Sequence, residues 1–209
     1  FALRRSLLAY AADVAAGRWQ AAGQFCFFDL PIGDLRGTTL GLVGRGAIGG
    51  AVGDIGRALG MTVVYAGRKG VARPPAPYVP FEEMLETADV ISLHVPLAAE
   101  TRGLIGAPEF ARMKRRPILI NTSRGGLVDE AALVAALDAG QIAGAGFDVA
   151  TTEPPAEDNP LFAAAGRPNV ILTPHVAWAS ESAQRTLWGQ VVDNIEAFLA
   201  GTPRNDVTG

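Results

Sequence analysis

The chain has 209 residues, 49% of them hydrophobic, with 25 glycines and a formal net charge of −3, which suits one domain with a buried core. Its 18 cations form no run longer than Lys114-Arg115-Arg116, and Arg68-Lys69 is a pair, so the charge pattern argues against a nucleic-acid surface. The single cysteine, Cys26, excludes an internal disulfide framework and fits a reducing, cytoplasmic setting, and no stretch approaches the ~20 apolar residues of a membrane-spanning helix.

At the start, Arg4-Arg5 before Leu7-Leu8 faintly resembles a twin-arginine export signal, but Asp13 interrupts the apolar run. Leu3, Leu7, Ala11 and Val14 fall at helical spacing, which predicts an amphipathic helix over about residues 1–16. Phe1 is not a Met and no capping residue precedes the helix, so the chain is read as a piece of a longer protein. Residues 17–37 read as an irregular connection rich in aromatics (Trp19, Phe25, Phe27, Phe28) with Pro31. Such a stretch is either covered by a partner, for example a second subunit, or packed back on the core. Cys26, between Phe25 and Phe27, reads as buried packing.

The stretch over residues 39–69 is the most informative. An apolar run, Leu40-Gly41-Leu42-Val43, predicts a strand buried on both faces. Gly44, Gly46 and Gly49 follow in the spacing G-x-G-x-x-G. A helix with Val52, Ile55 and Leu59 on one side closes at Gly60, and a second strand covers residues 61–66. In a strand–glycine–helix–strand unit this spacing is a dinucleotide fingerprint, whereas the bare motif is weak. The first glycine permits the tight turn, the second lets a pyrophosphate approach the backbone, and the third lets helix and strand pack closely. The helix N-terminus then faces the phosphates.

Beyond a stiff Pro74-Pro75-Ala76-Pro77 connection, Tyr78-Val79-Pro80 predicts a short edge strand and residues 81–88 a helix burying Phe81, Met84 and Leu85. Strands are expected over residues 90–94, 118–121, 145–148 and 170–173. Pro108 starts a short helix ending near Met113, and Asp129 caps a helix that buries Leu133 and Leu137 and stops at Gly140. A last helix from about residue 180 to 200 carries Leu187, Val191, Ile195 and Phe198 inward and ends at Gly201. Alternating strands and helices imply an α/β fold of Rossmann type, with a doubly wound, mostly parallel sheet. Ligands then sit beyond the carboxyl ends of the strands. There stand the glycine loop, Gly67-Arg68, His94-Val95-Pro96, Asn121-Thr122-Ser123-Arg124, Asp148 with Glu153 beyond it, and Thr173-Pro174-His175.

Five ordered segments (Gly-Arg-Gly-Ala-Ile-Gly, His-Val-Pro-Leu-Ala-Ala-Glu-Thr, Ile-Asn-Thr-Ser-Arg-Gly, Phe-Asp-Val-Ala-Thr-Thr-Glu-Pro-Pro and Thr-Pro-His-Val-Ala-Trp-Ala-Ser) carry a resemblance over essentially the whole chain. Together they resemble the D-isomer-specific 2-hydroxyacid dehydrogenases, most of all the glycerate dehydrogenase/hydroxypyruvate and glyoxylate reductase branch. The resemblance implies an NAD(P)-dependent oxidoreductase that reduces a small 2-oxo acid. It implies His175 as general acid/base, Glu153 as its carboxylate partner and Arg124 as the clamp on the substrate carboxylate; each residue type suits its task. The implied cofactor site draws on Gly44, Arg45, Gly46, Ala47, Ile48, Gly49, Gly67, Arg68, Lys69, His94, Val95, Pro96, Thr101, Thr122, Ser123, Arg124, Asp148, His175 and Ala177. Asp148 would receive the nicotinamide carboxamide, and His94 reads as structural or cofactor-lining.

One position departs from the NAD pattern. The end of the second strand, where an NAD-specific domain places Asp or Glu against the ribose hydroxyls, holds Gly67 followed by Arg68 and Lys69. No carboxylate there repels a 2′-phosphate and two cations can bind one, so NADP is the preferred cofactor and NAD the alternative. No metal site is expected from two histidines in separate segments and one cysteine. Family members have two domains, so residues 1–209 are expected to supply the dinucleotide-binding domain with its linking helices, without the N-terminal part of the substrate domain. A homodimer through this domain is expected. A D-3-phosphoglycerate dehydrogenase and a nucleotide-sensing, corepressor-like binding module are the rival readings.

Overall fold

The structure is a computed structural model, described for residues 1–207. It comprises two compact units, Phe1–Pro174 and the stretch from His175 onward.

Among the described residues, the first unit holds one sheet of seven parallel strands: β1 (Thr39–Val43), β2 (Thr62–Ala66), β3 (Tyr78–Val79), β4 (Val90–Leu93), β5 (Ile118–Asn121), β6 (Gly144–Phe147) and β7 (Val170–Leu172). Their order is β3-β2-β1-β4-β5-β6-β7. The chain thus winds outward from β1 in one direction and from β4 in the other, and the crevice at the carboxyl ends of β1 and β4 is the switch point where such sheets bind ligands. The helices are α1 (Leu7–Ala15), α2 (Arg18–Ala22), α3 (Ala47–Ala58), α4 (Phe81–Thr87), α5 (Ala107–Arg112), α6 (Glu130–Asp138) and α7 (Pro160–Ala165), with a tight 3-10 turn at Gly125–Leu127. The expected doubly wound α/β fold is the one observed.

Strand side chains alternate between faces, and the core divides accordingly. Val43, Ile91, Leu93, Leu119 and Phe147 join Phe81, Met84 and Leu85 of α4, Phe110 of α5 and Leu133 and Leu137 of α6 in the larger cluster. Leu40, Leu42, Met61 and Tyr65 form the smaller one, against Val52 and Leu59 of α3. Here one expectation needs correction: Ile55, placed on one side of α3 with Val52 and Leu59, does not share their packing and is 61% exposed. The buried stripe is Gly49, Gly53 and Gly56. A Cβ on Gly56 would lie 2.7 Å from Leu40 Cδ2, so the helix lies close to the sheet through missing side chains. Apolar periodicity overlooks glycine because its contribution to packing is an absence.

Loop chemistry matches the helix ends. Asp129 Oδ1 accepts from Ala132 N at 3.0 Å to cap α6, and Gly140 beyond it has φ +64°. The buried Asp89 holds the opposite, amino-terminal edge of the sheet. Its Oδ2 accepts from Thr39 N at 2.8 Å, and its Oδ1 pairs with Arg115 Nη2 at 2.8 Å.

Near the start, the helix expected over residues 1–16 begins at Leu7; hydrogen-bonded turns precede it, and Ser6 has φ +49°. The connection expected to be irregular contains α2. It is tied to α1 by Tyr10, whose hydroxyl donates to Leu30 O at 2.8 Å, and by a 5.5 Å Tyr10–Phe27 ring contact. Cys26 is half-buried, not buried, because only Phe27 of its aromatic neighbours turns inward. Phe25 and Phe28 are 92% and 75% exposed, so for these two the packed-back alternative does not hold.

In the second unit, α8 (Glu181–Leu199) is capped by Ser180, whose Oγ accepts from Ala183 N at 3.2 Å, and is followed by Gly201 at φ +74°. Leu187, Val191, Ile195 and Phe198, expected to point inward, are all exposed. Spacing tells which residues share a face, not what that face meets.

His94 closes β4 at the switch point. Its N–H donates to Val43 O at 2.7 Å, and its Nε2 lies 2.9 Å from Ser92 Oγ. Burial lowers its pKa below the ordinary 6.5. The folded chain therefore binds this proton less readily than the unfolded chain, and stability falls as pH drops below about 6.5 and levels off below the folded value, with no contribution above. Urea unfolding at pH 7.5 and 5.5 should show a loss at the lower pH that shrinks in His94→Gln.

Candidate functional site

The glycine loop shapes the crevice. Gly44 has φ +102°, and a Cβ there would strike the His94 carbonyl oxygen and lie 3.0 Å from Val95 Cγ1. A Cβ on Gly49 would strike the Gly44 carbonyl oxygen, whereas one on Gly46 would meet open space. The loop is thus backbone packed on backbone on its inner side and open at Gly46, the start of α3. Gly46 offers no capping side chain, so the first-turn N–H groups and the positive end of the helix face outward. That cradle fits a pyrophosphate. Beside it Arg45 is exposed, its guanidinium 5.3 Å from the Tyr65 ring centroid, and Ala47 and Ile48 are exposed on the first turn.

At the end of β2, Gly67 N donates to Val79 O at 2.8 Å, and a Cβ at position 67 would lie 2.7 Å from Pro74 Cβ. The residue that lacks a carboxylate is also one with no room for it. Arg68 is exposed. Lys69 is engaged elsewhere: its Nζ pairs with Oε1 of the buried Glu109 at 2.8 Å, and Glu109 Oε2 accepts from Gly106 N at 3.0 Å. Of the two cations, Arg68 is the exposed one not held by that carboxylate.

The loop after β4 carries His94, Val95 and Pro96, and Thr101 closes it by donating to Pro96 O at 2.7 Å and accepting from Ala98 N at 2.8 Å. Beyond β5, the fully buried Asn121 organises its own loop. Its Nδ2 donates to Arg124 O at 2.9 Å and its Oδ1 accepts from Ser123 N at 3.1 Å. Ser123 Oγ donates to Leu93 O at 2.8 Å, tying this loop to the end of β4. Thr122 and Arg124 are exposed, and Arg124 Nη1 donates to Ser123 O at 2.7 Å. The following segment is pinned by Ile105 N to Leu127 O at 3.0 Å and Asp129 N to Ile105 O at 2.9 Å.

The loop after β6 lies against this one. A Cβ on Gly125 would overlap the Ala150 carbonyl and Thr151 N, so the Arg124 loop and the Glu153 loop meet backbone to backbone. The buried Asp148 accepts from Thr173 Oγ1 at 2.5 Å, and the exposed Glu153 accepts from Ala150 N at 3.0 Å through Oε1. Glu130, which sequence reasoning missed, bridges into the same loop, its Oε1 accepting from Thr151 N at 2.6 Å and its Oε2 from Asn159 Nδ2 at 2.8 Å. Beside the Asp129 cap it reads as an ordinary acidic first-turn residue, and nothing local signals partners so far along the chain.

The structure therefore brings the residues of the glycine loop, Gly67-Arg68, His94, Arg124, Asp148 and Glu153 to one edge of the sheet in the first unit. His175 opens the second unit with a left-handed backbone at φ +56°, and Ala177 is exposed two residues on. Among the described residues, no group of three or more His, Cys, Asp or Glu could hold a metal ion, and no helix is long and apolar enough to cross a membrane.

Known proteins share this arrangement. A glycerate dehydrogenase of Methylorubrum extorquens is 51% identical over 207 residues, which are 99% of this chain and 64% of that protein. The TT0316 protein of Thermus thermophilus superposes with a TM-score of 0.84 at 40% identity, over 98% of this chain and 63% of that one. A D-lactate dehydrogenase of Lactobacillus jensenii, crystallised with NAD+, superposes with a TM-score of 0.81 at 33% identity, over 100% of this chain and 65% of that one. The chain spans less than two thirds of the length of each. The profile of the D-isomer specific 2-hydroxyacid dehydrogenase NAD binding domain matches residues 1–177. Cradle, strand-end residues, profile and relatives agree, and the chain belongs to the D-isomer specific 2-hydroxyacid dehydrogenases.

Proposed function

We propose that the protein carrying this chain is an NADPH-preferring reductase of hydroxypyruvate or glyoxylate, a glycerate dehydrogenase in the reverse direction. In this reading, residues 1–209 supply its dinucleotide-binding domain and linking helices. The observation that carries the reading is the packing of the Arg124 loop on the Glu153 loop, through Gly125 and Ala150, at the edge that also bears the phosphate cradle. The glycerate dehydrogenase relative supports the substrate class.

A bound nicotinamide dinucleotide supplies the hydride. The chain's own residues do the rest. The first-turn N–H groups of α3 hold the pyrophosphate, and Asp148, fixed by Thr173, orients the carboxamide. Arg124 holds the substrate carboxylate with its planar fork of donors and polarises the neighbouring carbonyl. His175 gives an imidazole proton to the 2-oxo oxygen, the role that histidine fills most often in general acid–base catalysis. Glu153 favours the charged imidazolium before that transfer.

The cofactor preference rests on Gly67 and Arg68. The Pro74 ring leaves no space at position 67 for the carboxylate that would repel a 2′-phosphate. Lys69 is held by Glu109, so the exposed Arg68 carries the preference. The exposed Phe25 and Phe28 support a dimer in which this segment is covered by a second copy, since burying two such rings contributes several kcal/mol.

Three outcomes are expected. In a 2-oxo acid assay His175→Ala should lower turnover by roughly 100- to 10,000-fold, the usual contribution of a general acid, while cofactor affinity is retained; surviving turnover would sink the mechanism, and a protein with no turnover at all would be a binding module. In side-by-side titrations NADPH should bind more tightly than NADH, and Arg68→Glu should weaken NADPH alone. Sedimentation should show a dimer that Phe25→Ser with Phe28→Ser converts to monomer.

A further inference from the structure

The loop between β6 and α7 carries Glu153, and one side chain from outside the loop holds it at two points. Glu130, in the first turn of α6, accepts from Thr151 N at 2.6 Å with one carboxylate oxygen and from Asn159 Nδ2 at 2.8 Å with the other. The two attachment points lie on either side of Glu153. Asn159 is itself fixed, its Oδ1 accepting from Leu161 N at 2.8 Å to cap α7. Bonds to an ionised carboxylate are about twice as strong as neutral ones, and two of them across one loop restrict hinge and slide together.

Glu130 also stands at the end of the pinned segment that begins with Arg124. That segment runs through the 3-10 turn, is fixed by Leu127 and Asp129 to Ile105, and enters α6 at Glu130. The residue read as the substrate clamp and the anchor of the Glu153 loop therefore share one short, braced stretch of backbone. From this the geometry points to Glu130 as a positioning residue, which sets the place of Glu153 relative to Arg124 without touching the substrate. The role rests on the reading of Glu153 as the carboxylate that serves His175.

The alternative is that Glu130 only stabilises the fold, and the two differ in what is lost. Glu130→Gln keeps shape but offers one acceptor to two donors. In the full-length protein, kcat for 2-oxo acid reduction should fall by about 10- to 100-fold, the scale of a reacting group displaced by roughly 1 Å. KM for the cofactor should stay unchanged, and the Thr151 amide should exchange faster with solvent by NMR. The double variant with Glu153→Gln should be no slower than Glu153→Gln alone, since two residues acting as one unit are not additive. Asn159→Asp keeps an acceptor for the α7 cap but sets carboxylate against carboxylate. It should reproduce the kcat loss if Glu130→Gln folds poorly. Losses that multiply in the double variant, or unchanged kcat in a folded Glu130→Gln, would overturn the proposal. A fully active Glu153→Gln would instead overturn the reading of Glu153 and with it the catalytic purpose of the clamp; faster Thr151 exchange in Glu130→Gln would still establish the anchor.

Discussion

The structure depends first on a contact between two stretches of backbone. Where β1 turns into α3, Gly44 and Gly49 approach each other and the end of β4 so closely that a single Cβ at either would collide with a carbonyl oxygen. That approach fixes the start of α3 over the crevice, and it is why the open position, Gly46, offers N–H groups and not side chains to a ligand. Backbone cannot yield by changing rotamer, so the constraint is stiffer than ordinary core packing. The glycines at 53 and 56 continue it along the helix, bringing α3 down onto Leu40 and Tyr65.

Much of this was legible in the chain. Strand–glycine–helix–strand patterning located β1, α3 and β2, and the apolar runs located β4, β5, β6 and β7 to within a residue. The cap at Asp129 and the Phe81–Met84–Leu85 face of α4 also followed from local chemistry. What escaped was of another kind. The buried face of α3 is built from glycines, α7 is only six residues long, and the exposed stripe on α8 depends on what lies opposite it.

The candidate site was drawn from residue types, and its supports were not legible. Arg124, Glu153 and His175 stand out by composition and family pattern, yet Glu109 and Glu130 do their work through partners elsewhere in the chain. Lys69 illustrates the difference. In sequence it is the twin of Arg68, but a buried carboxylate on α5 takes its charge. An ion pair with one partner buried has a cost in desolvation if broken, so the lysine fixes the turn on which Arg68 stands. One cation is tied to the scaffold and its neighbour stays exposed, a division that spacing alone does not reveal.

The two edges of the sheet also carry charge for different reasons. At the amino-terminal edge the buried Asp89 joins the start of β1 to Arg115, remote from the crevice and its ligands. At the carboxyl-terminal edge the charges converge on loops. Variation at Asp89 therefore registers as lifetime and abundance, and variation beyond the strand ends as chemistry. A population of sequences filtered for persistence and one filtered for rate would diverge along the strand axis, each blind to the edge the other guards.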